Sequence, residues 1–157
     1  GAMITRNKDV IASSMKFAQA RLSPPSMGQL IAEALLDTPQ AFLNKSAEEY
    51  KARRDYIIPA LNQIKGVHTP MPDGAFYSMV ELPVDDVDKF SRWLLEEFEY
   101  EGATVMLAPG TGFYTGKKMG IHQARIAYIL EMDKLKRAVE CLKQALKVYP
   151  GRTIDQD

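Results

Sequence analysis

Residues 122–130 read HQARIAYIL and place Arg125 at the head of an apolar run. Branched and aromatic residues in such a run are typical of a β-strand. Alternate residues of a strand share a face, which groups Arg125 with Ala127 and Ile129. Both faces are otherwise apolar, and a guanidinium in that setting is costly unless an anion meets it. Arg125 therefore lies either in solvent at the mouth of the strand or in a fixed anion site. A carboxylate would suit its planar, two-pronged donor group.

The pattern before residue 65 is helical, because apolar residues recur at three- and four-residue spacing. Two helices are predicted at 8–20 and 26–36, and a short strand is expected around Ile4. A third, long helix is predicted to begin at a capping box formed by Ser46 and Glu49. Pro59 is expected to kink this helix or to end its first half.

After residue 65, strands and helices alternate. Strands are predicted at 75–80, 103–109 and 124–130, and helices at 85–100 and 133–148. An Asp is expected to cap each of these helices, Asp133 being the cap of the last one. The predicted fold class is α+β: a helical N-terminal segment, a long connecting helix, then a small three-stranded sheet with helices packed on one face. Two domains are expected, 1–44 and 45–157.

Composition narrows the classes of function. The 157 residues carry 20 basic and 20 acidic side chains, so no net charge draws the chain to nucleic acid or to an anionic membrane. No apolar run approaches the roughly 18 residues that a membrane span needs. Cys141 is the sole cysteine and is predicted to be a small buried apolar residue. A reducing, cytoplasmic location is expected, without nucleic-acid or membrane partners.

Several common kinds of site find no support. The four glycines of residues 110–120 lack the spacing of a phosphate-binding loop, so this segment is expected to be a flexible connection or a loop that folds over a ligand. His68 and His122 have no further ligand at suitable spacing, and no metal site is predicted. Arg53 and Arg54 are expected to be solvated on the face of the long helix, facing Glu48 and Glu49 along its surface. No hydrolase motif is present.

Several segments share their order and spacing with one enzyme family. They are RLSPPSMGQLIAEALL (21–36), EEYKARRDYIIPAL (48–61), DGAFYSMVEL (73–82), ATVMLAPGTGFY (103–114) and ARIAYIL (124–130), followed by a capped terminal helix. In this order they resemble the C-terminal portion of the class I/II aminotransferases. These are fold-type I, pyridoxal-phosphate enzymes of the aspartate-aminotransferase type.

The resemblance implies roles for two arginines. Arg125 would bind the α-carboxylate of an amino-acid substrate, aspartate being one candidate, and the loop at 109–114 would lie at the mouth of the cleft. Arg21 would lie in the segment that approaches the partner subunit's active site in a homodimer, where it would contact a distal acidic group of the substrate. The reaction implied is amino-group transfer between an amino acid and a 2-oxo acid, in amino-acid metabolism and biosynthesis. Related lyases and synthases share the scaffold, and these motifs do not separate them from the aminotransferases.

The resemblance also implies what the chain lacks. Residues 1–44 would be a remnant of the large cofactor-binding domain, and 45–157 the small C-terminal domain with the long connecting helix. The family's lysine that bonds to pyridoxal phosphate should lie upstream, and Lys8 and Lys16 match no family position. The intact enzyme would use pyridoxal 5'-phosphate, whereas this fragment alone is expected to hold no catalytic residue, to bind no cofactor and to be inactive.

A second reading stays open on the residues alone. The chain could be a free-standing, non-catalytic α+β module that binds a small carboxylate or a protein partner. The residues encoded before Gly1 would separate the two readings, because a lysine-bearing segment there would favour the enzyme.

Overall fold

The computed structural model describes residues 3–116 and 119–154. The chain divides into two compact units, Gly1–Asn44 and Lys45–Asp157. Among the described residues, no helix combines the length and apolar character that crossing a bilayer takes.

The first unit consists of short helical elements without a buried core of their own. Helix α1 spans Lys8–Arg21 and α2 spans Ser26–Ala34, followed by a 3-10 turn at Leu35–Asp37. None of these three elements contains a buried residue. The two prolines between α1 and α2 explain the break, since proline lacks the donor that would continue a helix.

The expected strand around Ile4 is wrong. Residues 3–7 have no regular secondary structure, and Ile4 is 96% exposed. Asn7 instead caps α1, because its side chain accepts hydrogen bonds from the backbone N–H groups of Asp9 and Val10. Local capping chemistry therefore decides this segment, since residues 3–44 contain no strand with which it could pair.

Helix α3, Gln40–Asn62, starts earlier than the sequence pattern indicates. The carbonyl of Pro39 accepts hydrogen bonds from the N–H groups of Phe42 and Leu43, so the first turn forms directly after Pro39. Ser46 consequently lies inside the helix, and the predicted capping box is wrong. The helix also passes through Pro59, which lies within its last turn.

The second unit contains a three-stranded antiparallel sheet with strand order β1-β3-β2. The strands are β1, Tyr77–Glu81; β2, Ala108–Pro109; and β3, Gln123–Ala127. Only the end of the predicted strand 103–109 joins the sheet. Residues 103–107 are held elsewhere, because Ala103 bridges to Tyr100 and the Thr104 hydroxyl donates to the carbonyl of Leu94 at 2.6 Å.

Two further helices complete the unit: α4, Val87–Glu96, and α5, Met132–Val148. Asp86 caps α4 as expected, with its side chain accepting from the N–H groups of Asp88 and Lys89. Helix α4 ends at Glu96 rather than near residue 100. The residue at the cap of α5 is Glu131, so Asp133 is not the cap and lies in the first turn instead.

One face of the sheet packs against the helices. Ser78, Val80, Ala124 and Ile126 are buried, whereas their strand neighbours point to the other face. The hydrophobic core joins these residues to α3, α4 and α5 through Ile58, Leu61, Phe90, Leu94, Leu135, Leu142 and Leu146. This architecture confirms the predicted α+β class.

Cys141 belongs to the buried part of α5, as predicted. Burial raises the pKa of its thiol above the ordinary value, because the charged thiolate loses hydration there. A neutral, poorly reactive thiol follows, which agrees with a packing role.

Candidate carboxylate-binding site

Arg125 occupies the central strand of the sheet. Its Cα lies opposite Met79 of β1 on one side and opposite Ala108 of β2 on the other. Ala124 and Ile126 are buried, whereas Arg125 and Ala127 are exposed on the opposite face. Alternation along β3 therefore puts the guanidinium on the face of the sheet that the helices of this unit leave open.

Two aromatic rings hold the Arg125 side chain. Its Cζ lies over the ring of Phe113, 4.8 Å from the centroid, and over the ring of Tyr77 at 5.5 Å. Both distances fall within the range of cation–π attraction. Within residues 3–116 and 119–154, no hydrogen-bond acceptor or carboxylate engages the guanidinium. The described residues therefore leave its in-plane N–H donors without an acceptor, and such donors suit an anion.

The segment that carries Phe113 is tied down on both sides of that residue. It forms a 3-10 turn, Gly110–Phe113. The Thr111 hydroxyl donates to Asp88 Oδ2 at 2.7 Å, and the Tyr114 hydroxyl donates to Gln123 Oε1 at 2.6 Å. These bonds attach the described part of the loop to α4 and to β3. Lys117 and Lys118 lie outside the described residues.

Gly110 is expected to be intolerant of a side chain. A Cβ at this position would overlap the backbone carbonyl of Gln123, whereas a Cβ on Gly112 would meet nothing within 4 Å. Gly110→Ala should therefore lower the free energy of unfolding by about 1–3 kcal/mol, because β3 must shift to accommodate the methyl group. Urea denaturation measures the loss, and Gly112→Ala is the matched control. Equal stability of the two variants would contradict the close approach of these backbones.

Arg53 and Arg54 are not solvated, contrary to the expectation. Arg53 forms an ion pair with Glu49 and donates to the carbonyl of Ile129 at 2.5 Å, and its side chain is only 12% exposed. Arg54 donates to the carbonyl of Pro72 at 3.0 Å. These bonds join α3 to the chain just after β3 and just before β1. Both arginines therefore brace the sheet rather than face solvent.

Burial also raises the pKa of Tyr128, which lies next to the site. Tyr128 directly follows β3, is fully buried, and donates through its hydroxyl to the carbonyl of Ala75 at 3.2 Å. Desolvation raises the pKa of this phenol above its ordinary value. The hydroxyl therefore stays protonated and fixes the turn that precedes β1.

Arg21 is an exposed residue at the end of α1, in the first unit. Arg125 belongs to the second unit. The suggested contact of Arg21 with a distal acidic group of the substrate stays a prediction.

The residues that contact Arg125 were not anticipated from the sequence. Both residues lie in segments that resemble the family, and the loop at 109–114 was placed at the mouth of the cleft, but no contact of either ring with Arg125 was predicted. A further signal was the aromatic content of the two segments AFY and GFY, which end at Tyr77 and Tyr114.

A cavity of about 370 Å³ between α3, α5 and residues 103–107 does not fit pyridoxal phosphate. Its lining is mostly apolar. Its lysine, Lys134, is exposed, and the Nζ of Lys134 lies 3.9 Å from Oε2 of Glu131. No acidic side chain among the described residues lines the cavity to face the pyridine nitrogen of the cofactor. No group of three or more potential metal ligands occurs in the described part of the chain either.

The two histidines have structural contacts. His122 Nδ1 lies 2.7 Å from the carbonyl of Val84. His68 pairs with Glu81 through two backbone hydrogen bonds of 3.0 and 2.7 Å. Each position is thus explained by its contribution to the fold.

Comparison with known proteins identifies relatives for most of the chain. The family "Aminotransferase class I and II" matches residues 1–142. An aspartate aminotransferase of Rhizobium meliloti is 28% identical over 142 residues, which is 83% of this chain and 32% of that protein. An aspartate aminotransferase of Pyrococcus horikoshii is 33% identical over 102 residues, which is 64% of this chain and 24% of that protein.

Solved structures agree with this assignment. The alanine aminotransferase of Pyrococcus furiosus superposes with a TM-score of 0.69 at 28% identity, over 88% of this chain and 35% of that one. The Rhizobium meliloti aspartate aminotransferase gives a TM-score of 0.61 at 29% identity, over 82% of this chain and 32% of that one. The chain thus spans about a third of the length of the relatives it matches. On the match to residues 1–142 and these structural likenesses, the chain belongs to the class I and II aminotransferases.

Proposed function

We propose that this chain forms the C-terminal, substrate-binding part of a pyridoxal-phosphate-dependent aminotransferase, with Arg125 binding the α-carboxylate of the amino acid. The observation that carries the proposal is the guanidinium on the open face of the sheet. It is held by two rings and engaged by no acid of the described chain. A carboxylate could accept two parallel, charge-assisted hydrogen bonds from it.

The role of Arg125 in this proposal is to bind and orient the substrate. Fixing the carboxylate at one end restricts where the Cα–H bond can point, and such positioning supplies part of a rate acceleration. Pyridoxal phosphate, when bound to the intact protein, supplies the electron sink for chemistry at Cα. The proposal assigns the binding of that cofactor and the catalytic lysine to protein outside this chain.

Family membership supports the remaining features of the proposal. The substrates are an amino acid, aspartate being one candidate, and a 2-oxo acid, and the active form is a homodimer. Exposed apolar side chains in the first unit support burial against further protein, and they include Phe17, Met27, Leu30, Ile31 and Leu36. A cytoplasmic location belongs to the same proposal, supported by the single buried, unpaired Cys141. Family membership does not favour the non-catalytic carboxylate-binding module.

The 157-residue chain is expected to bind a carboxylate at Arg125 without catalysing transamination. Titration with sodium succinate should shift the Arg125 Nε–Hε signal in a ¹H–¹⁵N NMR spectrum, because the anion takes the free N–H donors. Addition of an amino acid, a 2-oxo acid and pyridoxal phosphate should give no product above the protein-free background, because the proposal assigns the catalytic lysine and the cofactor site to other protein.

Arg125→Lys identifies the Arg125 signal by its loss, and sodium chloride at equal ionic strength controls for screening. Absence of any succinate-specific shift would contradict the carboxylate role. Robust turnover by the isolated chain would contradict the assignment of the cofactor site to other protein.

A further inference from the structure

The two rings reach Arg125 from different parts of the fold. Tyr77 is on β1, on the same face as Met79, and its Cα pairs with that of Ala127, the next residue on the Arg125 face of β3. It is thus a diagonal cross-strand neighbour of Arg125. Phe113 comes from the loop that follows β2, the strand on the opposite side of β3. The sheet supplies one ring, and the loop supplies the other.

Contact with a ring face constrains a guanidinium without using its donors. The N–H groups of arginine lie in the guanidinium plane, so a ring stacked on the face of that plane leaves them free to donate. A long, exposed arginine otherwise samples many rotamers, and ordering them on binding costs free energy. Rings that already restrict Arg125 would lower this cost while leaving the N–H edge open to a carboxylate.

The ring of Phe113 depends on the loop being in its observed position. Thr111 and Tyr114, which flank Phe113 closely, bond to Asp88 of α4 and to Gln123 of β3. Gly110 allows the start of the loop to approach the Gln123 backbone. If these contacts opened, Phe113 would leave the guanidinium, whereas Tyr77 would remain on its strand.

We propose that Phe113 is a positioning residue through which the loop at 110–116 controls the orientation of Arg125, and thereby its affinity for a carboxylate. The proposal rests on the proposed function of Arg125. In this proposal Tyr77 restrains the Arg125 side chain whatever the position of the loop. Phe113 restrains it only while the loop keeps its observed position.

Phe113→Leu tests this coupling, because leucine keeps apolar bulk but removes the ring. Two readouts on the 157-residue chain are expected to change together. The order parameter of the Arg125 Nε–Hε bond vector should fall without any ligand present, and the dissociation constant for succinate should rise roughly two- to fivefold, the range of an exposed cation–π contact.

The chain offers two matched controls. Phe113→Tyr keeps the ring and should retain both values. Phe76→Leu makes the same change at a neighbouring exposed phenylalanine, which packs against Tyr50 and Tyr77 rather than against Arg125, and should change both values less than Phe113→Leu does. Thermal unfolding of each variant verifies that the fold is retained, which the exposure of Phe113 leads us to expect.

The outcomes separate this inference from the function on which it rests. If succinate binds wild type and Phe113→Leu equally, with unchanged Arg125 order, the coupling is refuted while the carboxylate role stands. An equal effect of Phe76→Leu also refutes it. If succinate fails to bind the wild type, the proposed function falls, and the ligand-free order parameter still decides whether Phe113 restrains Arg125.

Discussion

Replacing Arg125 by alanine in a complete aminotransferase that carries this chain should lower kcat/KM for the amino-acid donor roughly 100-fold. The substitution removes two charge-assisted hydrogen bonds to the α-carboxylate, a loss of about 3 kcal/mol. Arg125→Lys should recover only part of the activity, because an ammonium group cannot reproduce the bidentate geometry. Steady-state kinetics with varied donor concentration measures the effect.

The same substitution should leave the fold of the chain intact. Arg125 is exposed, and no ion pair with the described residues is lost, so the free energy of unfolding should change by less than about 1 kcal/mol. Urea denaturation of the 157-residue chain provides this control. A kinetic loss that merely tracks a loss of folded protein would contradict a binding role, and so would full activity of Arg125→Ala.

Replacing Phe90 by alanine should have the opposite signature, a large loss of stability at a position remote from the proposed chemistry. Phe90 is fully buried in α4, and its ring lies 4.8 Å from that of Tyr149 and 6.1 Å from that of Trp93. Truncation removes apolar contacts and leaves a cavity, at a cost of about 3–5 kcal/mol. Trp93 is the sole tryptophan, so its fluorescence during urea denaturation reports this region directly.

Leu95→Ala is the matched control, because Leu95 lies on the same helix but is exposed and should cost less than about 0.5 kcal/mol. Phe90→Leu keeps much of the volume and should fall between wild type and Phe90→Ala, which keeps the comparison measurable if the alanine variant unfolds. Equal stabilities of Phe90→Ala and Leu95→Ala would contradict the burial of Phe90 in the hydrophobic core.

The errors in the sequence interpretation have identifiable causes. Ser46 and Glu49 match a capping box, but such a pattern is compatible with a helix interior once Pro39 has started the helix upstream. Residues 103–107 have strand-like composition, yet a strand needs a partner. The Thr104 and Ala103 contacts hold that segment near the end of α4 instead. The composition of a segment gives its preference for a β-strand, whereas strand pairing depends on which segments lie beside it in space.

Arg53 shows the same limit for charged residues. Its spacing from Glu49 correctly indicates an ion pair along the helix, but the hydrogen bond to Ile129 joins residues 76 positions apart. No local pattern reports such a contact. The interpretation of Arg53 as a solvated residue was therefore wrong because of a tertiary contact, whereas its pairing within the helix was correct.

The amino-acid order by itself determined the helical first part, the alternation of strands and helices that follows, the α+β class and the family. These properties depend on spacings within a few residues and on motif order, which the chain displays directly. Arg125 could likewise be singled out, because a lone charge in an apolar strand is locally anomalous.

Only the tertiary structure decided which face of the sheet Arg125 occupies and what surrounds it. Helices from both ends of the second unit cover one face, and Tyr77 and Phe113 meet on the other. The rings are brought together by strand pairing in the order β1-β3-β2, in which β3 lies between two strands that precede it in sequence. Side chains distant in sequence become neighbours through hydrogen-bond register and core burial, and neither is a property of any single segment.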